Sequence, residues 1–142
     1  MPDILHRVGI DAQPAVVVKA LTTVEGLRDW WTQETSGNCS LNGVIDFGFC
    51  RMKVIEYIPE RLVRWQCVSG PNEWVDTQVS FQLSYKDKQT FILFSHTGWR
   101  EPVEFMHHCS TKWAVFLMSL KSLIEQGQGN PAPRDVKIHV GD

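Results

Sequence analysis

Two hydrophobic periods divide this chain. From Trp74 to Tyr85 the side chains alternate, with Val75, Thr77, Val79, Phe81, Leu83 and Tyr85 on one side and Trp74, Asp76, Gln78, Ser80, Gln82 and Ser84 on the other. A period of two with one polar face predicts an antiparallel strand that is wet on one side. Further on, Met106, Cys109, Trp113, Phe116, Leu117, Leu120, Leu123 and Ile124 recur at steps of three and four. Those positions share one face of an α-helix, predicted from about Val103 to Gln126. Gly127 is its natural C-cap, and Pro131 and Pro133 lie beyond it.

Weaker signals fill in the rest. Leu5 to Ile10 reads as a first strand. Asp11 is placed to cap, and Pro14 suits a first helical turn. Ala15 to Leu21 and Val24 to Trp31 then read as two short helices separated by Thr22-Thr23. Ser36-Gly37-Asn38 and Asn42-Gly43 are turn signals. Val44 to Phe49, Met52 to Ile58, Leu62 to Val68 and Gln89 to Thr97 are strand-like, and short turns connect them to the alternating segment. The expected order is β-α-α-β-β-β-β-β-α, an α+β fold with a six-stranded antiparallel sheet. A half-wet sheet must cover its apolar face. A helix of about 22 residues spans roughly 33 Å, and only the final one is long enough. Residues 128–142 are expected to form an irregular tail on the surface.

Composition narrows the class. A chain of 142 residues suits a single domain, 1–142, with its core at about 5–127. Fourteen basic against sixteen acidic residues give a net charge of −2 and no overall drive toward nucleic acid or an anionic membrane. Met1-Pro2-Asp3-Ile4-Leu5-His6-Arg7 lacks the basic and apolar regions of a signal peptide. No apolar stretch reaches the length of a membrane span. Cys39, Cys50, Cys67 and Cys109 have neither C-x-x-C nor zinc-site spacing, so reduced thiols in a cytoplasmic protein are expected. No nucleophile elbow or Gly-rich phosphate loop occurs. No metal site, cofactor or catalytic motif is expected.

The arrangement resembles a known superfamily through four segments: Leu27-Arg28-Asp29-Trp30-Trp31, Pro59-Glu60-Arg61-Leu62-Val63-Arg64-Trp65, Ser95-His96-Thr97-Gly98-Trp99, and the run from Trp113 to Gly127. In this order they are similar to the START-like superfamily, also called SRPBCC or helix-grip proteins. The branch they most resemble is the activator of heat-shock-protein-90 ATPase-like family. The resemblance implies a curved antiparallel sheet gripping the last helix, with a cavity between them. In this superfamily such cavities often hold lipids, sterols or polyketides. Some members are cyclases or other enzymes, and others bind chaperones. The eukaryotic co-chaperones of the branch carry an additional N-terminal domain for which this chain has no room.

On that frame the pocket-lining candidates are Phe47, Trp65, Cys67, Phe81, Phe94, His96, Met106, Cys109, Trp113 and Phe116. Packing alone accounts for the same residues, and six tryptophans fit either a large-residue core or a ring-walled cavity. A cavity on the order of a few hundred Å³ would suit a small apolar molecule. His96, the only histidine expected on an apolar strand face, either contacts a ligand or is a core histidine bonded to a carbonyl or water. Alternation groups Glu56 with Met52, Val54 and Ile58; if that face is inward, Glu56 and His96 are weak candidates for an acid–base pair. His107 and His108 point about 100° apart on a helix, so one faces the pocket mouth and the other solvent. Cys67 and Cys109 are expected to be inert. Phe91, Ile92, Leu93 and Phe94 are consecutive, so one apolar pair must face outward. Phe91 and Leu93 are expected to be covered there, with a homodimer as the suggested cover. The functional expectations rank as a carrier or sensor of an apolar molecule, then an enzyme of cyclase or hydrolase type using His96 and Glu56, then a chaperone-binding protein.

Overall fold

The long helix forms where the three-and-four spacing places it, at Glu104–Gln126, and ends where Gly127 adopts φ 82° and donates its N–H to the Leu123 carbonyl. The structure is a computed structural model that describes residues 2–142; Met1 lies outside the described residues. In chain order the elements are β1 (Ile4–Ile10), α1 (Pro14–Thr22), α2 (Val24–Trp30), β2 (Ser36–Gly37), β3 (Val44–Asp46), β4 (Arg51–Ile58), β5 (Leu62–Ser69), β6 (Gln78–Lys86), β7 (Gln89–Thr97) and α3 (Glu104–Gln126).

The strands form one antiparallel sheet in the order β1-β7-β6-β5-β4-β3-β2. It has seven strands where the pattern predicted six. The addition, β2, pairs Ser36 with Asp46 and Gly37 with Ile45. A two-residue pairing carries no periodicity, so this segment reads only as a turn. Gly37 permits the pairing: its φ is 107°, and a Cβ there would lie 2.5 Å from the Val44 carbonyl oxygen.

Helix α3 lies across the inner face of the sheet. Val63, Trp65, Cys67, Val79, Phe81, Ile92, Phe94 and His96 project from the strands into the core beneath it, and each is at most 2% exposed. The two short helices close one side. Thr23 caps α2 by accepting from the Gly26 N–H. Gly26 itself allows α1 and α2 to cross closely, since a Cβ there would meet the Ala20 backbone at 2.7 Å.

Two irregularities alter which face residues occupy. In β4 the pairing jumps from Val54↔Trp65 to Glu56↔Arg64, leaving Ile55 as an extra residue. This β-bulge reverses the alternation and puts Glu56 on the outer face, whereas unbroken alternation would keep it with Met52 and Val54. The second lies before β6. Trp74 to Asp76 form a turn, with Asp76 at φ 71°, so the strand begins only at Gln78. Trp74 therefore does not follow the polar face and is buried at 5% exposure.

The tail is irregular but anchored. The Ala132 N–H donates to the Trp31 carbonyl, and the Gln33 N–H to the Ala132 carbonyl. The Asn130 N–H donates to Ser119 Oγ. Asp135, 6% exposed, receives the Lys112 ammonium from α3. No helix among the described residues is long and apolar enough to cross a membrane.

Candidate functional site

The space beneath α3 is filled by rings. Trp31, the residue that ends α2, lies nearly parallel to Trp65 at 5.9 Å between centroids, 4.2 Å from Phe47 and 4.9 Å from Trp113. Trp65 and Phe94 each meet Phe81 edge-on, at 5.0 and 5.3 Å. Phe47, Trp65, Cys67, Phe81, Phe94 and His96 thus belong to the closed core and do not border open space. The predicted cavity between sheet and helix is occupied here by the tryptophans that were expected to wall it.

An open cleft lies at one end of that core. It has a volume of about 420 Å³ and is lined by Trp31, Phe49, Trp74, Phe105, Cys109, Trp113 and Phe116, with His108 and Lys112 at the rim. Ala132, Pro133, Asp135, Lys137 and Asp142 of the tail form the opposite wall. Of the ten predicted lining residues, α3 brings Cys109, Trp113 and Phe116 to this cleft; Met106 is half-buried beside the core and outside the lining. His108 faces the cleft while His107 faces solvent, the division expected of neighbours on a helix. Sequence reasoning missed Trp31, Phe49, Trp74, Phe105 and the tail. The strand pattern runs on to Phe49, but β3 stops at Asp46, and Gly48 at φ 88° turns the chain so that the Phe49 ring is half exposed. That ring meets Trp74 edge-on at 5.4 Å.

His96 sits under the floor of the cleft and is fully buried. The Trp113 indole N–H donates to its Nδ1 at 3.1 Å. The Thr77 hydroxyl donates to the Trp74 carbonyl at 2.5 Å and so accepts from His96 Nε2 at 2.8 Å. Both ring nitrogens are therefore committed, and the network fixes the neutral Nε2–H tautomer. Burial drives the His96 pKa down to about 3. This is a structural histidine, locked into the aromatic core.

The predicted Glu56–His96 pair does not form. The bulge turns Glu56 outward, where Arg64 Nη1 donates to it at 2.5 Å while Arg64 Nε donates to Ser80 Oγ at 2.9 Å. Nor is His96 the only histidine on the inner side of the sheet. The His6 ring is 6.1 Å from Phe94, and its Nε2 lies 3.0 Å from the Ser110 carbonyl oxygen, joining β1 to α3. Burial raises the pKa of Cys67 and Cys109 to about 11, and that of Cys50 higher still, which disfavours the nucleophilic thiolate form. Trp74 Nε1 also donates to Cys109 Sγ at 3.3 Å.

The charged groups collect on the tail side. Burial opposes the charge on Lys112, but hydrogen bonds to Asp135 and Asp142 outweigh it and hold the ammonium above its usual pKa. Hydrogen bonds from the Ile138 N–H and Lys112 lower Asp142 to about 2. Beside this pair, His108, His139 and Asp142 are the described residues that bring three potential metal ligands together, one ligand atom of each within 4.8 Å of the others.

No family model matches the sequence, and no curated protein does. Solved structures do. The Aha1 dimer from Colwellia psychrerythraea is 44% identical, with a TM-score of 0.84 over 91% of this chain and 100% of that one. CalU16 from Micromonospora echinospora is 21% identical, with a TM-score of 0.76 over 92% of this chain and 77% of that one. Protein SSP2350 from Staphylococcus saprophyticus is 15% identical, with a TM-score of 0.78 over 92% and 98%. The last two share the fold alone. Identity of 44% over the full length of the Aha1 structure, on the predicted frame of sheet and long helix, goes further: the chain belongs to the Aha1-like branch of the START-like superfamily.

Proposed function

We propose that the cleft binds a small, largely apolar molecule with a flat face, and that the protein is its carrier or sensor. One observation carries this reading: the interior is closed, yet the rings of Trp31, Phe49, Trp74, Trp113 and Phe116 border about 420 Å³ of open space. Aromatic surface at a concave site is the usual means of holding such ligands. The free cysteines agree with a reduced, cytoplasmic setting. Native mass spectrometry of freshly purified protein is the first test, with a co-purified organic molecule expected. A hydrophobic fluorescent probe is the second, and Phe49→Ala is expected to weaken it about tenfold, the loss of roughly one ring contact. A protein that carries no adduct and takes up no probe ends this reading.

Two narrower readings have their own support. The full-length likeness to a protein named Aha1 favours contact with a heat-shock-protein-90 chaperone. It requires this chain alone to raise that chaperone's ATPase rate, and an unchanged rate rejects it. The Colwellia relative is described as a dimer, and a homodimer of this chain through the outer face of β1 and β7 fits its exposed residues. Leu5 and Leu93 are 69% and 47% exposed there, whereas Phe91 is already covered by the Arg7 guanidinium 3.9 Å from its ring. Leu93→Glu should then convert a dimer to a monomer in sedimentation, and a wild-type protein that sediments as a monomer removes the idea.

A further inference from the structure

We propose that His108, His139 and Asp142 bind one divalent transition-metal ion at the rim of the cleft. Sequence spacing hides the group. His108 is on α3, and His139 and Asp142 arrive on the tail, which Ala132 and Asp135 tie back to α2 and α3. Two imidazoles and a carboxylate are a ligand set for zinc and its neighbours. In a tetrahedral site with bonds of about 2.0–2.2 Å, ligand atoms lie roughly 3.3–3.5 Å apart. The ligand atoms here lie within 4.8 Å of one another, so an ion would draw the three side chains closer together.

A second observation concerns how the ligands are held. The ring of His139 has Nδ1 2.8 Å from the Val140 carbonyl oxygen. With Nδ1–H donated there, Nε2 keeps the lone pair that a metal needs, the usual arrangement of a metal-binding histidine. The Asp142 carboxylate is fixed through Oδ2, which accepts from the Ile138 N–H and from Lys112, both at 2.9 Å. Oδ1 is left free for the ion. Lys112 and Lys137 share Asp135, so with Asp142 the cluster holds two ammoniums and two carboxylates, and Lys112 orients the Asp142 carboxylate. The His108 ring is stacked against Phe105 at 5.7 Å and 10°.

Because His108 and Asp142 both line the cleft, an ion between them leaves a coordination position on the cleft side. An apolar ligand carrying an oxygen donor, such as a carboxylate or hydroxyketone, would then meet rings at one end and the ion at the other. That extension rests on the cleft being a ligand site; the ion itself does not.

The test is a calorimetric titration with Zn(II), without organic ligand, on the full chain freed of any affinity tag and kept reduced. One ion per chain is expected. His139→Ala and Asp142→Asn should each weaken binding by about tenfold or more, and His107→Ala should not. Circular dichroism should be unchanged, since His139 and Asp142 lie outside the hydrophobic core. With Co(II) as probe, visible d–d bands without a thiolate charge-transfer band are expected. Failure to take up Zn(II), undiminished uptake by the double variant His139→Ala/Asp142→Asn, or a thiolate band would each overturn the proposal.

Discussion

The two ends of the space between sheet and α3 use the same residue types to opposite effect. At the closed end, Trp65, Phe81, Phe94 and His96 are at most 2% exposed, and Trp31 stacks over Trp65 to seal them in. At the open end, Trp74, Trp113 and Phe116 touch the core with one face and the cleft with the other. Aromatic content therefore does not make a pocket. What distinguishes the ends is the opposing wall. The closed end is faced by short helices with fitted apolar side chains. The cleft is faced by a tail held through ion pairs of Asp135 and Asp142 with Lys112, in place of a packed apolar face.

Trp113 belongs to both ends, so its removal should have the largest effect. It contacts Trp31, Phe94 and Trp74 and donates to His96 Nδ1. Trp113→Ala should cost about 3–5 kcal/mol, the usual range for deleting a large buried ring. It also strips His96 of a donor. Equilibrium urea unfolding gives the number directly. A loss below about 1 kcal/mol would mean that the ring serves the cleft and not the core.

The closed end should also reveal itself through pH. His96 is neutral in the folded protein to about pH 3, whereas an unfolded histidine titrates near 6.5. The folded pKa is depressed, so between those values the unfolded chain binds more protons. The His96 contribution is fully present above pH 6.5 and declines as pH falls toward 3. From pH 6.5 to 4.5 the loss should be about 2–3 kcal/mol, at 1.36 kcal/mol per unit. Unfolding midpoints at the two pH values, compared with those of His96→Gln, isolate the effect. An equal pH dependence in the variant would place the proton elsewhere.

At the open end the effects should be smaller and local. Lys112→Met removes the ammonium from Asp135, whose side chain is 3% exposed. A buried carboxylate that loses its main partner is costly, but Lys137 still reaches Asp135 at 3.0 Å, and the tail can peel into water. Those two escapes should limit the loss to about 1–2 kcal/mol. Hydrogen exchange should rise around 132–138 and remain slow in β6 and β7. Fast exchange in the central strands would show that the tail anchors the whole fold.

The same contrast explains what the sequence disclosed. Periodicity is local, so the helix from Glu104 and the inward faces of β5, β6 and β7 were legible. The seal was not. Whether Trp31 and Trp113 wall a space or fill it depends on how α2 and α3 approach each other, and neither period encodes that. The tail wall has no period at all, and it is placed by contacts such as Lys112 with Asp135 and Thr32 with Ala132. Trp74 and Glu56 were misplaced by one assumption, that alternation continues unbroken. The turn before Gln78 interrupts it in one case and the bulge at Ile55 in the other.

Glu56 gives the smallest effect and the sharpest separation of the two faces of the sheet. Its pair with Arg64 lies on the outer side, with side chains 41% and 36% exposed. Water and salt screen such a pair, so Glu56→Gln should change stability by about 0–1 kcal/mol. Moderate salt should shrink even that difference. The aromatic cleft lies on the other face of the sheet, so probe binding there should match the wild type. If Glu56→Gln instead abolished binding or any turnover of a bound molecule, the carboxylate would have to reach the inner face. That would require β4 to lose the bulge at Ile55 and shift its register by one residue, carrying Glu56 inward and breaking its bond to Arg64.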